Sequence, residues 1–545
     1  PKPWLTMYTA TPYGKSTINP EGWIKNDDDI GYVYLAQDFR GKGGSNGSYS
    51  FWRTGGNDTL DTVQWMLQQD WSNGYMTIFG ESALGLDQYC DITGVTQAIY
   101  NGEGMTGFNK YNNLLNHIVF GWLKISDGLG RNTVYQNGAY RECLLDGWLA
   151  VIEEPLYIQT VRKHEEFSSY WYPLDGNWTD WDPNGPYNNE PQWDVANLTL
   201  IHHGGWYDIF GNNQIATALG ANQTSQINAK GNQILIVEPG GHCEEGGEIY
   251  WDHRGYGETV ANNYSHVLAK AALKAKQEGK LFDVHEHIPF NVLFYMLGPG
   301  LASVSSRGNF WVQGDGFPAH TPKYLYLNSG GRLTDGKPSK SMQESYIYNP
   351  KNPVPSHGGS NLLCQPCGPW NQYYIEANRT DVLHFHSDPL LDDVYLVGKI
   401  VVELFVSSDC VDTDFTAKLL DIYPDEVDGK VVHMLVQDGI QRMRWIKGEY
   451  ESSPTWMTPD QVYQIEIDVG YMSYIFNRGH RISLSVSSSN NPRFSVNYNS
   501  GKMVIDGDTD WKVANNTVYY GDTYGARVIL PSVDKKWIED RKLHL

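Results

Sequence analysis

The sequence predicts an α/β protein: a mostly parallel sheet interrupted by a helical insertion, with an all-β domain after it. Three observations carry this. Apolar strand-like runs alternate with helical runs over residues 1–108 and again over 196–320, and that βαβ pattern makes strands parallel. Residues 109–195 break the alternation, turning helical and then aromatic-rich. From 321 to 545 helical periodicity stops, and short strand-like runs follow one another between turn residues, as in a β-sandwich or jelly roll. A chain of 545 residues is too long for one core, and length alone suggests about three domains.

The elements follow in order. Tyr32–Gln37 is an apolar strand ending at Asp38. Asn57 and Asp58 can cap a helix that places Leu60, Val63, Met66 and Leu67 on one face. Tyr75–Phe79 is a strand, followed by a turn, a short helix and a strand at Thr96–Tyr100. In the insertion, Leu114–Ile125 and Glu142–Glu154 read as helices, and Tyr170–Trp193 as a loop rich in Trp, Tyr, Asn and Pro. The sheet resumes with Leu198–His203, a helix near Asn213–Gly220, a strand at Gln233–Val237 and a helix at Tyr264–Gln277. The apolar stretch Ile288–Val304 is broken by Pro289, Asn291, Gly298, Pro299 and Gly300, so it reads as core and not as a membrane span. Strands are expected at Lys399–Ser407, Thr413–Tyr423, Val431–Gln437, Tyr463–Val469, Arg481–Ser488 and Ala526–Leu530.

Composition narrows the class of partner. A net charge of −22 argues against nucleic acid and anionic membrane surfaces. The 19 Trp and 36 Tyr residues are high for a globular chain. The first residue, Pro1, carries no signal-like segment behind it, as expected of a processed or truncated product. Asn-x-Ser/Thr sequons stand at Asn46, Asn57, Asn177, Asn197, Asn222, Asn263, Asn378 and Asn515. With six cysteines they tilt the expectation toward a secreted, luminal or cell-surface glycoprotein. Cys364-Gln-Pro-Cys367 lacks the second pair of a zinc site, which leaves a tight local disulfide or two free thiols. Self-association into a homo-oligomer stays open.

Chemistry concentrates in three places, each just past a predicted strand. Gly80-Glu81-Ser82-Ala83-Leu84-Gly85 is a serine on a glycine-flanked turn. Gly205-Trp206-Tyr207-Asp208 supplies an acid, and Glu238-Pro239-Gly240-Gly241-His242 a histidine. Taken singly, these are a surface turn, a helix-capping aspartate and a polar loop histidine. Together, in that order, they are the nucleophile, acid and base of an α/β-hydrolase triad. An oxyanion hole needs two donors. The Ala83 N–H is the expected first, and Tyr13, in Thr11-Pro12-Tyr13-Gly14-Lys15, can offer a phenol O–H. Most tyrosines in so aromatic a chain pack, and residue pattern alone leaves Tyr13 between the two roles.

Several stretches resemble the cocaine esterase family and its relatives, the α-amino-acid ester hydrolases and X-Pro dipeptidyl-peptidases. They are Thr11–Lys15, Gln37–Gly47, Gly80–Gly85, Gly205–Asp208, Val411–Leu419, Asp438–Arg444 and Gly479–Ser489. The resemblance spans nearly the whole chain. It implies an α/β-hydrolase domain (1–108 and 196–320), an inserted helical cap (109–195) and a C-terminal β jelly roll (321–545). It assigns Ser82, Asp208 and His242 as the triad and Tyr13 as second oxyanion donor. Two features depart from it. Ala83 stands where the family has Tyr, which alters a pocket wall but keeps the backbone donor. The chain also begins near the family's third strand.

Substrate clues are thinner. Ile209 and Phe210 follow Asp208, where the amino-acid ester hydrolases carry acids that hold an ammonium, so the pocket resembles the apolar esterase type. Leu363 and Cys364 fall where the esterases line their acyl site. The reading is a serine acyl hydrolase for a small ester or short peptide, with no cofactor and no metal. An X-Pro peptidase or amidase is the enzymatic rival, and a structural glycoprotein on the same fold the non-enzymatic one. Other motifs read as structure. Gly41–Gly47 lacks a phosphate-binding Lys-Ser/Thr, and Asp38 with Arg40 is expected to be an ion pair holding that loop. His285-x-His287 and His384-x-His386 lack a nearby third ligand. Of His202 and His203, at least one is expected to pack.

Overall fold

The computed structural model describes residues 4–18, 31–49, 55–82, 84, 117–124, 134–166, 198–223, 229–242, 246–249, 251–301, 306–363, 366–448, 453–507 and 509–545. The first sheet comprises β1 (Trp4–Thr11), β2 (Tyr32–Asp38), β3 (Ser72–Glu81), β4 (Ile118–Lys124), β7 (Leu200–Tyr207), β8 (Ile234–Gly241), β9 (Val292–Met296) and β10 (Phe310–Gly314), with a small hairpin, β5 (Tyr135–Gln136) and β6 (Ala139–Tyr140), outside it. Its strand order is β10-β9-β8-β7-β4-β3-β1-β2. Every pairing is parallel except that of β9 with β10. Strands β7 and β9 are buried along their whole length, as central strands covered on both faces must be.

The reading of Leu114–Ile125 as a helix fails: Ile118–Lys124 is β4, between β3 and β7. Its run Ile-Val-Phe-Gly-Trp-Leu is continuously apolar, and such a run has no period to separate strand from buried helix. The cap therefore cannot begin at residue 109. The predicted strand at Thr96–Tyr100 and the loop at Tyr170–Trp193 lie outside the described residues.

Helix α1 (Gly55–Met66) buries Val63 and Met66, while Leu67 lies beyond its end and is exposed. The insertion contributes α2 (Glu142–Val151) and α3 (Leu156–Lys163). Helix α4 (Gly211–Gln223) follows β7. Helix α5 (Tyr256–Gln277) begins earlier than predicted and turns Val260, Ala261, Leu268, Ala269, Ala272 and Leu273 inward. Those positions form one stripe at helical spacing, packed on β4 and β8. Glu238, inside β8, accepts from the Glu258 backbone N–H at 2.8 Å, placing a carboxylate at the positive end of α5.

The C-terminal domain is dominated by β-strands, with short α-helical segments at α6 (Tyr373–Glu376) and α7 (Lys535–Glu539). Its strands are β11 (His320–Asn328), β12 (Arg332–Thr334), β13 (Met342–Tyr348), β14 (Leu383–His386), β15 (Val394–Ser408), β16 (Asp414–Ile422), β17 (His433–Arg442), β18 (Tyr463–Phe476), β19 (Arg481–Ser487), β20 (Ala514–Tyr520) and β21 (Arg527–Val533). The expected strands are all present, joined by β11 to β14 and β20, which the sequence reading did not pick out. The order β13-β20-β15-β21-β11-β12-β14-β19-β16-β17, with β18 on β15, scrambles sequence order as a jelly roll does.

The two domains share one apolar core. Leu297, just past β9, exchanges backbone hydrogen bonds with Ser473 and Ile475 of β18. The insertion is tied to the jelly roll by a buried cluster. Glu165 accepts from Arg444 Nε at 2.6 Å, from Trp445 Nε1 at 3.0 Å and from the Val504 N–H at 2.8 Å. Arg444 also pairs with Asp412 at 2.5 Å. Burial alone would raise the Glu165 carboxyl, yet Arg444 and Arg442 hold it below its ordinary range. Asn137 and Gly138 make the β5–β6 turn with φ of 45° and 79°, an Asn-Gly pair suited to left-handed backbone. A Cβ on Gly138 would lie 2.3 Å from Trp445 Cδ1, so the turn fits against the jelly roll only without a side chain.

Candidate active site

The carboxyl ends of β3, β7 and β8 carry the three predicted residues. Ser82 follows Glu81 directly and has φ of 57°, a left-handed conformation uncommon for a non-glycine residue and concentrated at functional sites. Asp208 follows Tyr207, and its N–H bonds back to the Gly205 carbonyl at 3.1 Å. Gly205 is obligatory there: a Cβ would meet the Gly240 carbonyl oxygen at 2.2 Å. That closeness brings the end of β8, and with it His242, to Asp208.

His242 Nδ1 lies 3.1 Å from Asp208 Oδ1 and 3.2 Å from Oδ2. Both residues are buried. Asp208 Oδ1 also accepts the Phe210 N–H at 2.9 Å, so the carboxylate caps the α4 turn and holds the imidazole at once. The Phe210 ring meets the His242 ring edge-on, 5.1 Å between centroids. A cavity of about 320 Å³ adjoins the pair, lined by Glu81, Asp208, Glu238, His242, Trp251 and Arg254 among others.

Tyr13 sits in the turn after β1, at the same edge of the sheet. Its N–H donates to Thr11 Oγ1 at 3.0 Å. The turn is tied down by Asp38, which accepts from the Lys15 N–H, from Lys15 Nζ at 2.7 Å and from the Gly44 N–H at 2.7 Å. Burial would raise the Asp38 carboxyl, but these donors hold it below its ordinary range. The expected Asp38–Arg40 pair is not made; Arg40 pairs with Asp58 of α1. The Tyr13 hydroxyl accepts from Trp148 Nε1 at 2.8 Å, a contact across the fold that no local motif signals.

Ile209 and Phe210 are buried in one apolar cluster with Leu144, Leu145 and Trp148 of α2, so the wall beside Asp208 is apolar. Leu363 is 54 % exposed with φ of 68° and lies over Gly147 of α2. Ala83 and Cys364 lie outside the described residues. Cys367 forms no disulfide, so the Cys364–Cys367 bridge is not made, whereas Cys143 is disulfide-bonded. His202 is packed: its Nε2 faces Gln233 Oε1 at 3.0 Å, and burial depresses the imidazole to about 4. His384 and His386 stack at 6.1 Å and bond to Ser485 and Ser483. Among the described residues no group of three or more His, Cys, Asp or Glu is arranged to hold a metal.

A mostly parallel sheet with a helical insertion, carrying a left-handed serine and an Asp–His pair at its carboxyl edge, defines the α/β-hydrolase class with a jelly roll appended. The family profile for the X-Pro dipeptidyl-peptidase (S15 family) matches residues 1–244, and that for the X-Pro dipeptidyl-peptidase C-terminal non-catalytic domain matches 294–529. Cocaine esterase from Rhodococcus sp. is 26% identical over 586 residues, covering 98% of this chain and 94% of the relative. Among solved structures, an α-amino acid ester hydrolase superposes with a TM-score of 0.68 at 19% identity, covering 97% of this chain and 92% of that one. An aminopeptidase from a marine sediment Thaumarchaeota archaeon gives 0.68 at 18% identity, covering 98% and 92%. Over residues 1–244 the chain matches the X-Pro dipeptidyl-peptidase (S15) family, over 98% of its length it is similar to cocaine esterase, and it is an enzyme, a serine hydrolase.

Proposed function

We propose that the enzyme cleaves small esters through an acyl-serine intermediate, with Ser82 as nucleophile, His242 as general base and then general acid, and Asp208 as the residue that fixes the imidazole. The observation that carries this reading is His242 Nδ1 held between both Asp208 oxygens at the sheet edge where Ser82 takes its left-handed turn. Ser82 Oγ bonds to the substrate carbonyl carbon as its proton passes to His242 Nε2. The carbonyl oxygen becomes an oxyanion, held by the Ala83 N–H and the Tyr13 O–H. Collapse breaks the bond to the leaving alcohol, which takes the proton from Nε2. Water then repeats the sequence and frees the acid.

The apolar wall of Ile209 and Phe210 favours an uncharged or aromatic acyl group, because burying an ammonium without a partner is costly. Cleavage of an X-Pro dipeptide is the second reading, favoured by Glu81, Glu238 and Glu258 around the cavity beside His242. The Cys143 disulfide and the exposed sequons Asn46, Asn263, Asn378 and Asn515 support a secreted, luminal or cell-surface glycoprotein. Asn222 fits less well, its Oδ1 accepting from the Gln233 N–H at 3.2 Å.

The test is covalent labelling with a fluorophosphonate. Ser82→Ala should abolish labelling and lower turnover by several orders of magnitude, and labelling that persists at another serine would overturn the assignment. Matched esters with and without an α-ammonium then separate the two substrate readings. A higher kcat/KM for the ammonium form, or efficient X-Pro dipeptide release, would favour the peptidase.

A further inference from the structure

We infer that Trp148 is a positioning residue for the Tyr13 hydroxyl, and that the oxyanion hole is thereby completed by the docked cap and not by the sheet alone. This rests on the assignment of Tyr13 as oxyanion donor proposed above.

The contact is specific. Trp148 Nε1 donates to Tyr13 Oη at 2.8 Å across 135 residues of sequence. Trp148 is 8% exposed, Tyr13 38%. A phenol oxygen accepts through its lone pairs and donates through one O–H. The indole N–H engages a lone pair on the cap side, so the phenol proton is turned away from the cap. Accepting that bond also polarises the O–H, making it a stronger donor to a developing negative charge.

The indole itself is held at both ends of its helix. Arg141, preceding α2, donates through Nη1 to the Ile209 carbonyl at 3.0 Å, one residue past Asp208. Lys42 Nζ donates to the Ile152 carbonyl, just past α2, at 2.6 Å and to Glu154 Oε1 at 2.5 Å. Helix α2 is thus registered against the residue that follows the triad acid and against the loop after β2. From the sheet side Thr11 Oγ1 holds the Tyr13 N–H and Asp38 holds Lys15, two residues on; the phenol oxygen is met from the cap by Trp148. Trp148 acts through Tyr13, so its contribution should exist only while the phenol O–H is present.

A double-mutant cycle on a neutral ester tests this, with Trp148→Phe, Tyr13→Phe and the pair together. Trp148→Phe keeps an aromatic ring in the α2 face and removes the N–H. Tyr13→Phe should lower kcat by about 10²–10³. Trp148→Phe should lower kcat by about 3–10-fold, the effect of one neutral hydrogen bond, with KM changed less than kcat. In the Tyr13→Phe background the same tryptophan change should have less than about a 2-fold effect. If it costs the same factor in both backgrounds, Trp148 only packs and the inference fails while the Tyr13 reading stands. If Tyr13→Phe leaves kcat unchanged, the oxyanion assignment fails and the inference falls with it. Near-ultraviolet circular dichroism of all three variants shows whether each retains the fold.

Discussion

Replacing Asp208 by Asn tests the orientation of the histidine without emptying its surroundings. Asp208 Oδ1 is committed to the Phe210 N–H at 2.9 Å while both oxygens face His242 Nδ1 at 3.1 and 3.2 Å. An amide at 208 keeps its carbonyl oxygen toward Phe210, because the reverse orientation would set an NH₂ against a backbone N–H in a buried turn. The NH₂ then faces Nδ1 and can only be accepted there. That fixes the proton on Nε2, the nitrogen that must take the Ser82 proton. Structure and binding survive while the tautomer is wrong. The expected loss in kcat is about 10³–10⁴, as in other triads altered this way, or about 4–5.5 kcal/mol at 1.36 kcal/mol per decade. Steady-state kinetics, the rate of fluorophosphonate labelling and a thermal melt are the assays. A variant with kcat within tenfold of the parent, or one that unfolds, would refute the reasoning.

Three other outcomes follow from packing and charge. Glu165→Ala leaves Arg444 short of a buried partner and strands the Trp445 and Val504 donors. It should cost about 3–5 kcal/mol and open the insertion to limited proteolysis before the sheet; a loss below about 1 kcal/mol would show that Asp412 alone suffices for Arg444. His202, depressed to about 4 by burial, binds its proton more readily when unfolded, near 6.5. Stability should therefore fall as pH drops from about 6.5 to 4, by roughly 3 kcal/mol for this one group, and His202→Gln should flatten that slope in denaturant titrations at stepped pH. Gly138→Ala, forcing a Cβ toward Trp445 and straining a φ of 79°, should lower the melting temperature measurably, while the same change at Gly336, where nothing lies within 4 Å, should not.

The Asp208–His242 pair was legible because strand ends, glycines and chain order are local, and β7 and β8 are neighbours whose register brings Tyr207 opposite Gly241. What escaped was either non-local or without periodicity. Strand β4 reads as a helix because it is buried without a break from Ile118 to Leu123. Gly121 was the available signal, since a Cβ there would lie 2.6 Å from Leu200 Cδ2 of the adjacent strand, and glycine inside an apolar run often marks such an approach. The partners of Asp38 and Arg40 were misassigned to each other because they are two residues apart. The fold instead brings Lys15 to one and Asp58 to the other. The bond from Trp148 to Tyr13 leaves no local trace.

The Glu165–Arg444 cluster also bears on how such enzymes can be recombined. The catalytic-domain profile ends at 244 and the C-terminal profile begins at 294, a natural place to splice halves from two relatives. Such a chimaera would join Glu165 from one parent to Arg444, Trp445 and Val504 from the other, and would seat Gly138 under a foreign residue at 445. The unit that must travel intact is therefore discontinuous: the insertion from about 134 to 166 together with the jelly-roll segments around 412, 444 and 504. A library that exchanges these as one block should yield folded progeny more often than one cut at the profile boundary.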